Sequence, residues 1–530
     1  MMNLKSIANL SLKGAAFGAA LLLATQIQAA NTLRWSSAGD ALTMDPHAKN
    51  ETPTINMNRQ VYDTLIQRDE NLNMEPGLAL SWEPLSATSW QFNLRSGVTF
   101  HDGSAFSAED VKFSIERAQA NTSDFKAYVN TIESVEIIDE HTVVINTKSP
   151  DPILPSYLTF VFMMDQTWSL THKVSSPQDY NSSEETYAVR HANGTGAYSL
   201  AEREPDLKTV LQINPNYWGP AAQIETIIHT PISSAPTRIA ALLSNELDFV
   251  LDPPIQDLKR LNAQQSIKVT SVPQIRTIFL GLDQGAPTLR SNPDLDNNPL
   301  ADKRVRKAMY MAIDIKAIQQ KIMRGLAEPA GIITAPGVNG YNKALDTRLP
   351  FDRKQAKELL AQAGYPEGFK IRLDCPNNRY INDEAICQAV VSMLSKIDIK
   401  VSLNAQPKSI FFKTIGNNDS DFYLLGWGVA TLDSEYVFRY LLNTRSDKIG
   451  TWNRANFSNA EVDQLIAKIQ QEVDLTKRDQ MIEKVWQITK EDITYLPLHH
   501  QVISWAMSSK LSLPIVASNE PLFRLATYKK

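Results

Sequence analysis

An α/β architecture of two or three lobes is the expectation set by three features of the chain. Its 530 residues are more than one hydrophobic core organises. Strand-like stretches, alternating or briefly apolar, are interleaved with capped segments of helical period. Hydrophobic residues make up 43% and charged residues 21%, the balance of a soluble globular protein. Lys and Arg number 53 against 58 Asp and Glu. That slight acidic excess argues against a nucleic-acid-binding surface, which needs a basic footprint.

In chain order, residues 1–29 read as a cleaved secretory signal peptide. Lys5 and Lys13 make a positive start, 14–24 is apolar, and Ile27-Gln28-Ala29-Ala30 ends on small residues. The apolar part is too short to span a bilayer. The first cysteine is Cys375, so none lies near the cleavage point to carry a lipid. A free soluble protein in the periplasm is expected. Residues 33–36 read as a strand running into the polar loop Ser37-Ala38-Gly39-Asp40. Residues 56–66 have helical spacing, with Met57, Val61 and Leu65 on one face.

Trp90, Phe92 and Leu94 alternate as in a strand, followed by a turn at Ser96-Gly97, a second strand and a turn at Asp102-Gly103. A helix follows, capped by Ser107 with Asp110 three residues on, and Val111, Ile115 and Ala118 form its apolar face. Residues 131–147 read as a hairpin in which Val135 and Ile137 face Val143 and Ile145. Asp352 and Gln355 form a capping box, and Gly364 stops that helix. Ser458 and Glu461 cap a further helix with Val462, Leu465, Ile466 and Ile469 inward. Cys375 and Cys387, in an oxidising compartment, are expected to form a disulfide rather than a metal site. The apolar run 422–425 reads as a buried strand that leaves its sheet at Gly426-Trp427-Gly428. Glycines there permit close backbone approach, and Trp427 offers a flat apolar face. These residues alone fit a core aromatic beside a tight turn better than a cleft wall.

Several motifs change that weighting. Residues 78–82 (L-A-L-S-W), 92–103 (F-N-L-R-S-G-V-T-F-H-D-G) and 108–111 (A-E-D-V) stand in order. Gly194-Thr195-Gly196-Ala197-Tyr198, Asn214-Pro215-Asn216-Tyr217-Trp218, 304–314 and 351–365 follow. Together they closely resemble the solute-binding proteins of ABC importers in the peptide/nickel class, extracellular family 5, over essentially the whole mature chain. The resemblance implies a periplasmic-binding-protein fold with two lobes, a hinge between them and an inserted extra subdomain. The expected divisions are 31–75, 195–283 and 497–530 for a discontinuous first lobe, 76–194 for the insert, and 284–496 for the second lobe. Hinges are expected near 280–284 and 496–501. His101 and Asp102 then serve a turn and not catalysis.

The same resemblance implies a ligand site. Gly426-Trp427 matches a cleft-lining G-W loop, with Gly428 beside it. Peptide-binding members carry G-W-x-x-D, whose Asp grips the ligand's ammonium; here Ala430 stands at that position. A buried ammonium without a carboxylate is costly. Either Asp433 takes over or the ligand lacks a free α-amine. Arg379 resembles the Arg that holds the ligand carboxylate in dipeptide binders, a role suited to a planar two-pronged donor. Tyr380 adds a stacking or hydrogen-bonding group, and a Cys375–Cys387 bond would brace their loop. Ser37 and Gly39 match the first cleft loop.

The implied function is capture of a small polar solute, a peptide or amino-acid conjugate, for delivery to a membrane permease. The expectation includes a monomer with no catalytic residue, metal, cofactor or nucleic-acid partner. A receptor for a sugar or metal chelate is the alternative within the class. A secreted hydrolase is the alternative outside it, against which stands the lack of G-x-S-x-G, H-E-x-x-H or P-loop patterns. His499 and His500 are adjacent, and on a strand they face opposite ways and chelate poorly.

Overall fold

The computed structural model describes residues 31–529 except 181, 183, 447 and 448, so the expected leader at 1–29 lies outside the described residues. Two long strands, Ile267–Leu282 and Leu496–Ser508, form the spine of the molecule. They pair antiparallel at the centre of the largest sheet. On one side the sheet continues through Phe422–Gly428, Lys370–Pro376 and Lys400–Gln406. On the other it continues through Phe249–Leu251, Thr32–Ser36, Thr226–His229, Lys208–Ile213 and Tyr198–Glu204.

The fold is α/β and two-lobed, and the cores show why. Leu33, Trp35, Phe249, Trp505 and Phe523 are buried in one cluster, whereas Leu280, Leu282, Leu373, Leu424 and Leu496 are buried in another. The spine strands contribute to both. Their ladder shifts register between Pro273 and Thr277, where Pro273 lacks the N–H that a continuous ladder needs. Residues 267–273 pair with 502–508, and 277–280 pair with 496–500. Gln274 and Gln501 hydrogen-bond side chain to side chain at 2.8 Å across the break.

A separate four-stranded antiparallel sheet, Ala79–Ser86, Ser89–Leu94, Thr142–Thr147 and Ile132–Asp139, packs with the first core. Its hairpin has the expected register, with Val135 opposite Ile145 and Ile137 opposite Val143. Helix Ala108–Gln119 starts on the expected capping box of Ser107 and Asp110. The strand expected between the two turns is reduced to one bridge, Thr99 to Ala105.

Four local expectations are corrected. The helix expected over 56–66 runs Thr52–Val61 and begins on the Glu51 side chain. Tyr62 is extended, and Gly194 and Gly196 press against Val61 so closely that an added Cβ would overlap its carbonyl. Leu65 is therefore buried from outside the helix. The helix expected to be capped by Ser458 is capped by Asn459, which accepts from the amides of Glu461 and Val462. At Asp352 the box is one-sided: its carboxylate accepts from the Gln355 amide at 2.9 Å.

The fourth correction matters most for the site. Phe422–Gly428 is strand throughout, with no turn at the glycines. Gly426 lies opposite Ile278, Trp427 opposite Thr277 and Gly428 opposite Arg276. The glycines serve neighbours above the sheet, since a Cβ on Gly426 would stand 2.7 Å from Cε1 of Tyr380 and one on Gly428 3.3 Å from Nη2 of Arg276.

Candidate functional site

A cavity of about 1200 Å³ lies between the lobes. From the first lobe it is lined by Trp35, Ser37, Gly39, His229 and Asp252. The spine gives it Gln274, Arg276 and Gln501, and the second lobe gives it Arg379, Tyr380, Gly426, Trp427 and Gly428. All of the site residues expected from sequence line it except Asp433. The mix of aromatic faces and a few placed polar groups is that of a small-molecule pocket.

The second-lobe wall is built in two layers. Strand Lys370–Pro376 ends in the loop 377–382, and helix Asp383–Leu394 follows. Asp383 at the head of that helix accepts from the amides of Arg379 and Tyr380 at 2.8 and 3.0 Å. Cys375 and Cys387 are bonded, tying strand to helix beneath the loop. Tyr380 then donates its hydroxyl to the Gly426 carbonyl at 3.2 Å, locking loop onto strand. The Arg379 guanidinium lies 5.1 Å from the centre of the Tyr380 ring, and that of Arg276 lies 5.9 Å from it. Burial and the neighbouring charge of Arg379 push Arg276 down to about 10.

Beside this layer stands an aromatic group. The Trp427 ring is 5.7 Å from Tyr436, 5.8 Å from Tyr440 and 6.1 Å from Trp452. Segment 435–442 carries two of these rings, and Tyr436 packs against the core of the first lobe as well as the second.

Asp433 does not reach the cavity. It is 4% exposed, and its two oxygens accept from Arg478 at 2.7 and 2.8 Å, with Asn339 adding a bond at 3.0 Å. A bidentate buried pair of this kind leaves no lone pair for a ligand ammonium, because freeing the carboxylate would strand the arginine. Ala430 does line the cavity, with no polar group to offer.

The first-lobe wall is tied internally. The Ser37 hydroxyl lies 2.6 Å from the Gly39 carbonyl and 2.9 Å from Nε2 of His229, whose Nδ1 is 3.4 Å from Asp40. Burial would raise Asp40, but its bond to His229 and the charge of Arg203, 2.7 Å away, hold it down to about 2. The series resembles a serine–histidine–aspartate array in outline. A carbonyl only accepts, so the serine proton is directed to Gly39, the shorter contact. Asp40 is further engaged by the amides of Ala41 and Asp206. The array holds the 37–40 loop in shape.

Asp252 and Arg276 escaped sequence reasoning. Asp252 follows strand Phe249–Leu251, precedes two prolines and has φ +50°. Asn519 donates to it at 2.8 Å. The residue is exposed to the cavity, and desolvation by the surrounding cleft walls pushes it up to about 6 despite that bond and the charges of Arg238, Arg276 and Arg379. A signal for Arg276 was present, since it is the lone charge in the mostly apolar run 275–280, where Thr277 is the one other polar residue. A charge there needs a reason that a strand does not supply.

Residues 73–448 match the family model described as bacterial extracellular solute-binding proteins, family 5 Middle. Heme-binding protein A of Haemophilus influenzae is 24% identical, over 89% of this chain and 87% of its own length. The glutathione-binding protein GsiB of Escherichia coli is 23% identical, over 93% of this chain and 94% of its own. NikA of Brucella suis, solved in complex with Fe(III)-EDTA, superposes with a TM-score of 0.82 at 22% identity, covering 94% of this chain and all of that one.

Proposed function

The chain belongs to family 5 of the bacterial extracellular solute-binding proteins, and from that membership we propose that it is a periplasmic receptor delivering a small polar solute to an ABC importer. The observation that carries this reading is the interlobe cavity, where Arg379, Tyr380 and Trp427 from one lobe face Ser37 and Gly39 from the other. We take residues 31–75, 195–283 and 497–530 as the first lobe, 76–194 as its insert and 284–496 as the second. The hinge expected near 280–284 we move to the register break at Pro273–Thr277, because Leu280 and Leu282 already pack in the second core, so 277–283 passes from the first lobe to the second. The relative named for glutathione supports a peptide-like or amino-acid-conjugate solute, and the one named for heme supports a chelate as the alternative. In this reading the solute is released unaltered, which the relatives named as binding proteins support.

The test is mass spectrometry of small molecules released from the purified protein on denaturation, paired with turnover assays on peptide and ester substrates. A stoichiometric solute, unaltered on incubation, is the expected result. Steady consumption of the solute or of any assayed substrate would replace the receptor reading with the hydrolase one.

A further inference from the structure

Two guanidiniums face the cavity without a counter-charge. Arg379 takes part in hydrogen bonding only through its backbone amide, to Asp383. The Arg276 guanidinium reaches one acceptor, the Gly426 carbonyl, at 3.4 Å. Neither has a carboxylate within ion-pairing distance among the described residues, whereas Arg117, Arg203 and Arg478 each close on one at 2.7–2.8 Å. An arginine presents five N–H donors in a fixed fork. Two such forks against one tyrosine ring, half-buried and unpaired, are unfavourable until an anion fills them.

The carboxylates on the cavity wall do not fill them. Glu520 is paired with Arg59 at 2.7 Å, Glu51 accepts from Thr54, and Asp69 accepts from Asn71 and Asn73. Asp252 remains, held by Asn519 and outside ion-pairing distance of both arginines. The chain as a whole carries a net charge of −5, so the excess positive charge is local to the cleft. A cleft with low-dielectric walls focuses such a field on its contents.

We propose that Arg276 and Arg379, both set against the Tyr380 ring, form a two-guanidinium cradle for a solute bearing two acidic groups. The solute's body lies on the Trp427–Tyr436–Trp452 wall, and Asp252 receives one of its N–H or O–H donors. This rests on the receptor reading and narrows it to acidic solutes. A zwitterion of one carboxylate and one ammonium could set its ammonium on Asp252 but would leave one guanidinium empty.

The test uses the purified chain stripped of carried-over solute. Small solutes from a cell extract are split by anion exchange into retained and unretained fractions. Each is scored by thermal shift, and the molecule captured is identified by mass spectrometry. Stabilisation by the retained fraction, with a captured molecule carrying two acids, is expected. Stabilisation by the unretained fraction alone, or capture of a neutral or cationic molecule, overturns the cradle while leaving the receptor. If no fraction stabilises the protein and nothing is captured, the receptor reading itself fails. Arg276→Gln and Arg379→Gln keep bulk and hydrogen bonding but remove charge. Each should weaken binding of the captured acid by about tenfold or more. Wild-type affinity in Arg276→Gln would remove that residue from the cradle. Melting temperature without solute reports folding, and Arg276→Lys, which keeps the charge, should recover part of the affinity.

Discussion

Asp433 and Asp252 exchange the roles that sequence would assign them. Asp433, five residues past the cleft glycine, is sealed in a buried pair with Arg478. Asp252, with no motif around it, opens into the cavity. Its raised value sets a pH dependence with a definite sign. The folded group protonates near 6, whereas an unfolded aspartate waits until about 3.9. Below 6 the cavity therefore loses a negative charge and its net field grows more positive. Arg238, Arg276 and Arg379 are the charged groups facing it and stay protonated throughout. Affinity for an acidic solute should rise as pH falls from about 7 to about 5.5. Asp252→Asn should be flat over that range and bind at neutral pH as wild type does at the acid end. Calorimetric titration at several pH values measures this, and a flat wild-type profile would detach Asp252 from the site. The same linkage makes this group favour the fold more, not less, as pH drops through 6.

The loop carrying Arg379 and Tyr380 is positioned by the elements on either side of it. Strand Lys370–Pro376 and helix Asp383–Leu394 are joined by the bond between Cys375 and Cys387, 12 residues apart. Asp383 adds a polar clamp on the loop's own amides. Closing a loop of this size restricts the unfolded chain by about 3 kcal/mol. Cys375→Ser with Cys387→Ser should lower the free energy of unfolding by about 2–3 kcal/mol in denaturant titrations. Unchanged stability would show that Asp383 and the packing suffice. Much at this scale was legible in the chain: the disulfide, the helix boxed by Ser107 and Asp110, and the 131–147 hairpin follow from signals a few residues long. The strand through Gly426–Gly428 was not, because glycine reads as a breaker until the side chains that occupy its missing Cβ are known. Here they belong to Tyr380 beside Gly426 and Arg276 beside Gly428, 46 and 152 residues away in number.

At the scale of the molecule, the lobes are held together by few direct bonds besides the spine. Tyr157, on the inserted subdomain, donates to Glu435 at 3.0 Å. Arg68 reaches the Thr431 carbonyl at 3.3 Å, and Gln256 donates to Asn382 at 3.2 Å. Glu435 is also held by Arg439 at 2.8 Å and Gln470 at 2.7 Å, so it stays neutralised when Tyr157 is lost. A solute that touches both walls shifts the balance toward the closed form by its differential affinity. Solution scattering should show a smaller radius of gyration on solute binding. Tyr157→Phe, which removes two cross-lobe bonds, one given to Glu435 and one taken from Arg439, each worth about 0.5–1.5 kcal/mol, should enlarge the solute-free form and weaken binding several-fold. Identical scattering and affinity in the variant would show that these contacts do not bias closure.

The α/β class, the family and most of the cleft-lining residues were readable from the chain, because each is written in contiguous residues or in motifs whose order survives without coordinates. Tertiary packing alone decided which charges face the cavity. A carboxylate is a ligand group or a strut according to whether an arginine closes on it, and Arg478 lies 45 residues from Asp433. Equally, Arg276 joins Arg379 only because two strands and a loop from distant parts of the chain meet at one tyrosine ring.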